Sequence, residues 1–281
     1  MIIIENKTYS EERALYALNG AKLINCAFEG EEDGESALKE ANGIEAENCR
    51  FILRYPLWHT SDFRLFNCTM AETARAAIWY CRNGEINGLE TNGIKGLREC
   101  DNIKLVNVKA HSPEFGWKCR YISFENCDIV SEYFLLDSEN ISLSNVKLKG
   151  KYSFQYNNNA VMENCVLDTK DAFWHAKNIT VKNSVIKGEY LAWYSENITF
   201  INCEIQGTQP LCYCKGLKLI NCTMKDCDLS FEYSEVDADI NGEILSVKNP
   251  LAGNIIADKY GEIIKENSVK ECNCRIETRK I

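Results

Sequence analysis

Asn178-Ile179-Thr180-Val181-Lys182-Asn183-Ser184-Val185-Ile186-Lys187-Gly188 is followed, nineteen residues on, by Asn197-Ile198-Thr199-Phe200-Ile201-Asn202-Cys203-Glu204-Ile205-Gln206-Gly207. The second copy keeps the apolar residues at the positions of Ile179, Val181 and Ile186. A fixed period of this size is the mark of a solenoid, and it decides the fold before any local propensity does.

Working outward, an Asn before a small residue recurs at Asn25, Asn48, Asn67, Asn87, Asn107, Asn126, Asn145, Asn164, Asn183, Asn202 and Asn221. After a first step of 23 residues, every step is 19 or 20. Just upstream stands an apolar column: Leu23, Ala46, Leu65, Ile86, Leu105, Phe124, Leu143, Met162, Val181, Phe200 and Leu219. Just downstream stands a small one, with Cys26, Cys49, Cys68, Gly88, Val108, Cys127, Val146, Cys165, Ser184, Cys203 and Cys222. This alternation has the period of a strand. Leucine-rich repeats share the period but need several Leu at fixed offsets and a helix per copy, which are missing. The pattern predicts an all-β, single-domain right-handed parallel β-helix of about 11–12 coils, each about 19–20 residues in three short strands. Asn suits the bend because it tolerates left-handed backbone angles. Its amide can also bond to the Asn one coil away, building a ladder.

The repeat runs over residues 21–233. Residues 1–20 read as an N-terminal cap with a helix start at Ser10-Glu11-Glu12. Residues 234–281 read as a C-terminal cap and tail. There Asn254-Ile255-Ile256-Ala257 and Glu262-Ile263-Ile264-Lys265 form a hairpin around Asp258-Lys259-Tyr260-Gly261.

A net charge of -9 over 281 residues disfavours nucleic acid or an anionic membrane as partner. The start, Met1-Ile2-Ile3-Ile4-Glu5-Asn6, lacks the basic and apolar runs of a signal peptide, so a cytoplasmic protein is expected. The fifteen cysteines are then expected to be reduced thiols used as small hydrophobes. No cofactor or metal is expected; the pairs Cys212/Cys214 and Cys272/Cys274 lack partner ligands.

The strand before each ladder strand holds the chemistry. All five tryptophans share one of its columns: Trp58, Trp79, Trp117, Trp174 and Trp193. The next column reads Glu40, His59, Tyr80, Glu99, Lys118, Asp137, Tyr156, His175, Tyr194, Tyr213 and Glu232. So many titratable groups cannot sit in a dry core, so this column faces solvent. Strict alternation then turns the tryptophans inward. Rings with hydroxyls and carboxylates suit a sugar chain. Glu99, Lys118 and Asp137 on consecutive coils are the catalytic candidates, as a base between two acids. Glu35, Lys39, Glu40, His59, Tyr80, Tyr156, His175 and Tyr194 are the substrate-binding candidates. The bland reading of Glu99-Lys118-Asp137 is a surface charge ladder.

Segments such as Tyr55-Pro56-Leu57-Trp58-His59 followed by Asn67-Cys68 resemble coils of the pectate-lyase-like superfamily, which includes polygalacturonases. Glu12-Arg13-Ala14-Leu15-Tyr16, Gly34-Glu35-Ser36-Ala37-Leu38-Lys39-Glu40 and Tyr55-Pro56-Leu57-Trp58 resemble an uncharacterised bacterial family of parallel β-helix proteins, over nearly the whole chain. That resemblance implies the fold and no activity. The Asn-Thr-Asp-Gly, Asp-Asp and Arg-Ile-Lys motifs of polygalacturonases are missing, as are evident calcium carboxylates. If the chain is an enzyme, a polysaccharide lyase or glycoside hydrolase is expected. The leading expectation is an oligosaccharide-binding or oligosaccharide-modifying protein. The alternative is a non-catalytic scaffold that binds a protein partner, or another copy of itself, through the exposed strand face.

Overall fold

In the computed structural model, which describes residues 2–30 and 34–280, the chain divides into two compact units, residues 1–142 and 143–281. Each is a stack of parallel β-coils, and no helix occurs among the described residues. Among the described residues no helix is long and apolar enough to cross a membrane.

The second unit shows why the repeat folds this way. Lys177–Lys182 pairs in parallel with Glu196–Ile201, setting Ile179 against Ile198 and Val181 against Phe200. These four side chains point inward and are at most 1% exposed. Asn183 then takes a left-handed bend at φ 49, and Val185–Lys187 runs beside Glu204–Gln206 on a second face. The amide ladder follows the bend: Asn202 Nδ2 donates to Asn183 Oδ1 at 3.0 Å and Asn221 to Asn202 at 2.7 Å. The small residue after each Asn faces in because the bend crowds the interior. Cys203 and Cys222 are buried there, and their thiols donate to strand carbonyls.

The first unit repeats the plan with one shift. The coil starting at Ser61 is two residues longer than the 19-residue coil that follows it, so Gly88, at φ 75, occupies the bend instead of Asn87. Asn87 ends its strand, yet its Oδ1 still accepts from Asn107 at 3.0 Å. Leu89, not Gly88, fills the inward position.

The helix start expected at Ser10 is absent. Ile2–Glu5 and Thr8–Tyr9 pair in parallel with the next coil, and Asn25 donates to Asn6 in the ladder. The N–H groups of Arg13, Leu15 and Ala17 bond to the carbonyls of Glu35, Ala37 and Lys39, so they are not available to a helix. The C-terminal hairpin is absent too. Ala252–Ile264 is one strand, parallel to Glu235–Lys248, and Arg275–Thr278 adds a further parallel strand. Asp258-Lys259-Tyr260-Gly261 lies inside the strand, where the Tyr260 hydroxyl sits at 3.0 Å from the carbonyls of Ile255 and Glu277. The coil therefore takes in both terminal segments and makes more turns than the repeat count implied.

The third face also differs from three strands per coil. In the first unit Leu57–Trp58, Ile78–Trp79 and Leu97–Arg98 form a narrow parallel sheet. In the second unit the same face is made of turns. Left-handed residues alternate along it, as at Asp171, Phe173 and His175, so no strand forms.

Candidate functional site

The outward column lies on this third face. Its residues share a left-handed backbone: φ is 56 at His59, 54 at Tyr80, 50 at Glu99, 52 at Lys118 and 52 at Asp137. That bend breaks the alternation of a strand and corrects the inward expectation for the tryptophans. Leu57, Ile78 and Leu97 point inward and are at most 1% exposed, while Trp58, Trp79 and Trp117 lie half-buried on the outside. Two consecutive side chains face outward because the second sits on a turn. This also explains how Lys39, Arg98 and Gln155 share the tryptophan column without being buried.

In the first unit, Trp58 stacks on Trp79 with centroids 5.4 Å apart, and His59 on Tyr80 at 5.0 Å. Lys39 Nζ stands 3.9 Å above the Trp58 ring, and the Arg98 guanidinium 5.1 Å from the Trp117 ring. The Trp117 indole N–H donates to the Tyr133 carbonyl at 2.8 Å. Those of Trp58 and Trp79 are buried with no hydrogen-bond acceptor among the described residues.

The structure sets Glu99, Lys118 and Asp137 on three successive coils. Glu99 N–H bonds to the Trp117 carbonyl at 2.8 Å, and Lys118 N–H to that of Leu136 at 2.9 Å. Glu99 is engaged: Arg98 Nε lies 3.3 Å from its carboxylate. Its hydrogen bond with Tyr80 holds that phenol above its ordinary value. Lys118 and Asp137 are exposed. Glu35 is half-buried away from the column and faces Arg54 at 3.5 Å. Glu40 is exposed beside Lys39.

In the second unit the rings form a longer stack. Tyr156, His175, Tyr194 and Tyr213 follow one another at 5.2, 5.2 and 4.8 Å, nearly parallel. Trp174 stacks on Trp193 at 5.5 Å, and their indoles donate to the carbonyls of Tyr190 and Gln209, each at 2.7 Å. Tyr213 donates to Glu232 at 3.2 Å, and Lys248 pairs with Glu232 at 2.9 Å. Burial, with the Glu232 charge added, pushes the Tyr213 phenol up to about 12. At the start of the turn that leads to His175, burial raises the Asp171 carboxyl above its ordinary value, against the opposing charge of Lys170. Sequence reasoning did not single out Asp171, since nothing in its spacing marks a buried acid.

Coil-to-coil stacking covers the ring faces within each stack. What the column offers outward is ring edges, hydroxyls, imidazole nitrogens and charges. Among the described residues, no group of three or more His, Cys, Asp or Glu side chains is arranged to hold a metal ion.

No curated protein matches the chain. Among solved structures it is similar to the A-module of the mannuronan C-5 epimerase AlgE4 of Azotobacter vinelandii, at 11% identity over 98% of this chain and 89% of that one, with a TM-score of 0.31. It is also similar to PfbA, a surface adhesin of Streptococcus pneumoniae, at 11% identity over 89% and 71%, with a TM-score of 0.40. A third is the catalytic domain of a GH87 alpha-1,3-glucanase, at 9% identity over 99% and 63%, with a TM-score of 0.36. At these values the likenesses carry no argument about what this chain binds. A family model matches residues 2–277, and the chain belongs to that family, described as "Protein of unknown function (DUF3737)".

Proposed function

We propose that the protein is carbohydrate-directed and binds an oligosaccharide along the outward column, without catalysis. The observation that carries this reading is the regularity of the column in each unit. From Glu40 to Tyr213 each coil presents one aromatic or charged side chain, fixed by the same left-handed bend. Coils about 4.8 Å apart set these groups at the spacing of a ladder that a linear sugar chain can follow. Hydroxyls, imidazoles and carboxylates are the groups that bond sugar hydroxyls.

Binding is favoured over catalysis because the column stands on an open surface. Proton transfer and charge stabilisation gain most in a site closed to water. Glu99, moreover, is already neutralised by Arg98. The rival reading, a scaffold that meets a protein partner or a second copy, draws on the covered ring faces, which leave no free stacking platform within the column.

The test is a binding screen of oligosaccharides by NMR against wild type, Lys118→Ala and Asp137→Ala, with unfolding measured alongside. Loss of binding in variants that unfold like wild type supports the column. Wild-type affinity in both variants removes it. Absence of any sugar binding, together with concentration-dependent self-association, favours the scaffold.

A further inference from the structure

A second left-handed column lies one corner away, at the start of the six-residue strands. In the first unit it runs through Gly20, Gly43, Asp62, Asn83, Asn102, Tyr121 and Asn140, with φ between 51 and 66. Each of these residues bulges out of the ladder. Arg82 pairs with Ser61 and Gly84 with Phe63, which leaves Asn83 and Asp62 between the paired positions. A furrow of about 630 Å³ runs along these positions.

One wall of the furrow is an amide ladder: Asn83 donates to Asp62 at 3.0 Å and Asn102 to Asn83 at 2.9 Å. The other is the column Glu45, Arg64, Glu85 and Lys104, in which Arg64 lies 3.3 Å from both glutamates. With Asp62, the charged lining is three acids and two bases.

The ladder stops at Tyr121. Asn and Asp tolerate this backbone region far better than a bulky side chain does. Tyr121 has no amide to continue the ladder, so Asn102 Oδ1 accepts no bond from the described residues. The ring is 59% exposed, and no other described ring stacks on it. Tyr121 follows the lining residue Asn102 in the column and lies just beyond the furrow, whose end is lined by Ser123. The left-handed backbone is common in this chain, and what sets Tyr121 apart is a ring at the place where the neighbouring coils of this column carry a ladder of amides and an acid.

We infer that this furrow is a second binding site, for a neutral oligosaccharide, with Tyr121 as its stacking platform. The amides, carboxylates and cations of the walls pair with sugar hydroxyls in both senses. The exposed ion pairs of Arg64 are each worth little, so a ligand exchanges with them at small cost. A polyuronate would meet the three acids and is disfavoured. The site shares a ligand class with the outward column but stands on a different surface, and neither needs the other.

The test uses the full chain and isothermal titration with neutral gluco-, manno- and xylo-hexasaccharides, and with hexauronates of the same length. Tyr121→Asn restores an amide that can donate to Asn102 Oδ1, so the variant is expected to melt at or above the wild-type temperature. It is also expected to bind the neutral probe at least tenfold more weakly, while Lys187→Ala, at an exposed position in neither site, binds it unchanged. A merely structural Tyr121 would show the thermal effect with no change in binding, and that overturns the inference. So does tighter binding of the hexauronates, or no neutral probe bound at millimolar concentration. If Lys118→Ala and Asp137→Ala lose a sugar that Tyr121→Asn retains, the column binds and the furrow does not.

Discussion

Phe200→Ala tests the packing of the coil most directly. Phe200 is fully buried, with Val181 opposite it in one neighbouring coil and Leu219 in the other. Removing the ring withdraws on the order of 100 Å² of buried apolar surface, roughly 2.5–3 kcal/mol at about 25 cal/mol per Å². The flanking side chains hang from rigid parallel strands, so the space closes only in part and the cavity adds about 1–2 kcal/mol. The expected loss is therefore about 3–5 kcal/mol. Phe200→Leu, which refills most of the space, is expected to lose less than half of that. The assay is equilibrium urea unfolding of wild type and both variants, comparing midpoints at a common slope. A loss under about 1 kcal/mol for Phe200→Ala means that the column does not pack as described, and it refutes the reasoning for the whole core.

Two further outcomes are expected. Asn202→Ala gives up its bonds to Asn183 and Asn221 and strains a backbone at φ 52, so it should cost roughly 1–2 kcal/mol; Asn202→Gly keeps the backbone and should cost less, and equal losses in urea unfolding would show that the bend imposes no strain. The Asp258 carboxyl is held below its ordinary value by the Gly242 N–H and by Arg279, so it stabilises above the unfolded pKa, and that stability is lost as pH falls through the folded value; Asp171 is raised and runs the other way, costing stability as pH rises. Asp258→Asn is therefore expected to lower Tm at pH 7 and to lower it by less at pH 3, while Asp171→Asn raises it more at pH 7 than at pH 3; melting curves at the two pH values decide both.

Much of the fold was legible because one physical device repeats. A left-handed bend needs a tolerant residue, and the Asn ladder supplies it once per coil. Where another residue does the work, the reading slipped. Gly88 makes the bend that Asn87 was expected to make, since glycine reaches positive φ without an amide. The terminal segments were misassigned for a related reason. Ser10-Glu11-Glu12 carries the local signal of a helix start, but its neighbours spend their N–H groups on the next coil. Local propensity lost there to inter-coil bonding, which no short window reveals.

The site was legible in part. Titratable residues marked the outward column, because no dry core takes Glu99, Lys118 and Asp137 together. The tryptophans were not placed, because strict alternation assumes an extended backbone at every position. A left-handed residue after each Trp cancels that assumption, and nothing in the identities of His59, Tyr80 or Lys118 announces one. The second left-handed column was hidden for the opposite reason. Asn83 and Asn102 look like ordinary surface asparagines until the strand register shows them skipped in the pairing. Only against that background does Tyr121 stand out, as a ring in the place of an amide. A solenoid repeats its scaffold at every coil and can change one residue without disturbing the rest. Its functional positions are therefore best sought where a structural column is interrupted, and by that criterion Tyr121 is a stronger candidate than any member of the column that the charges first drew attention to.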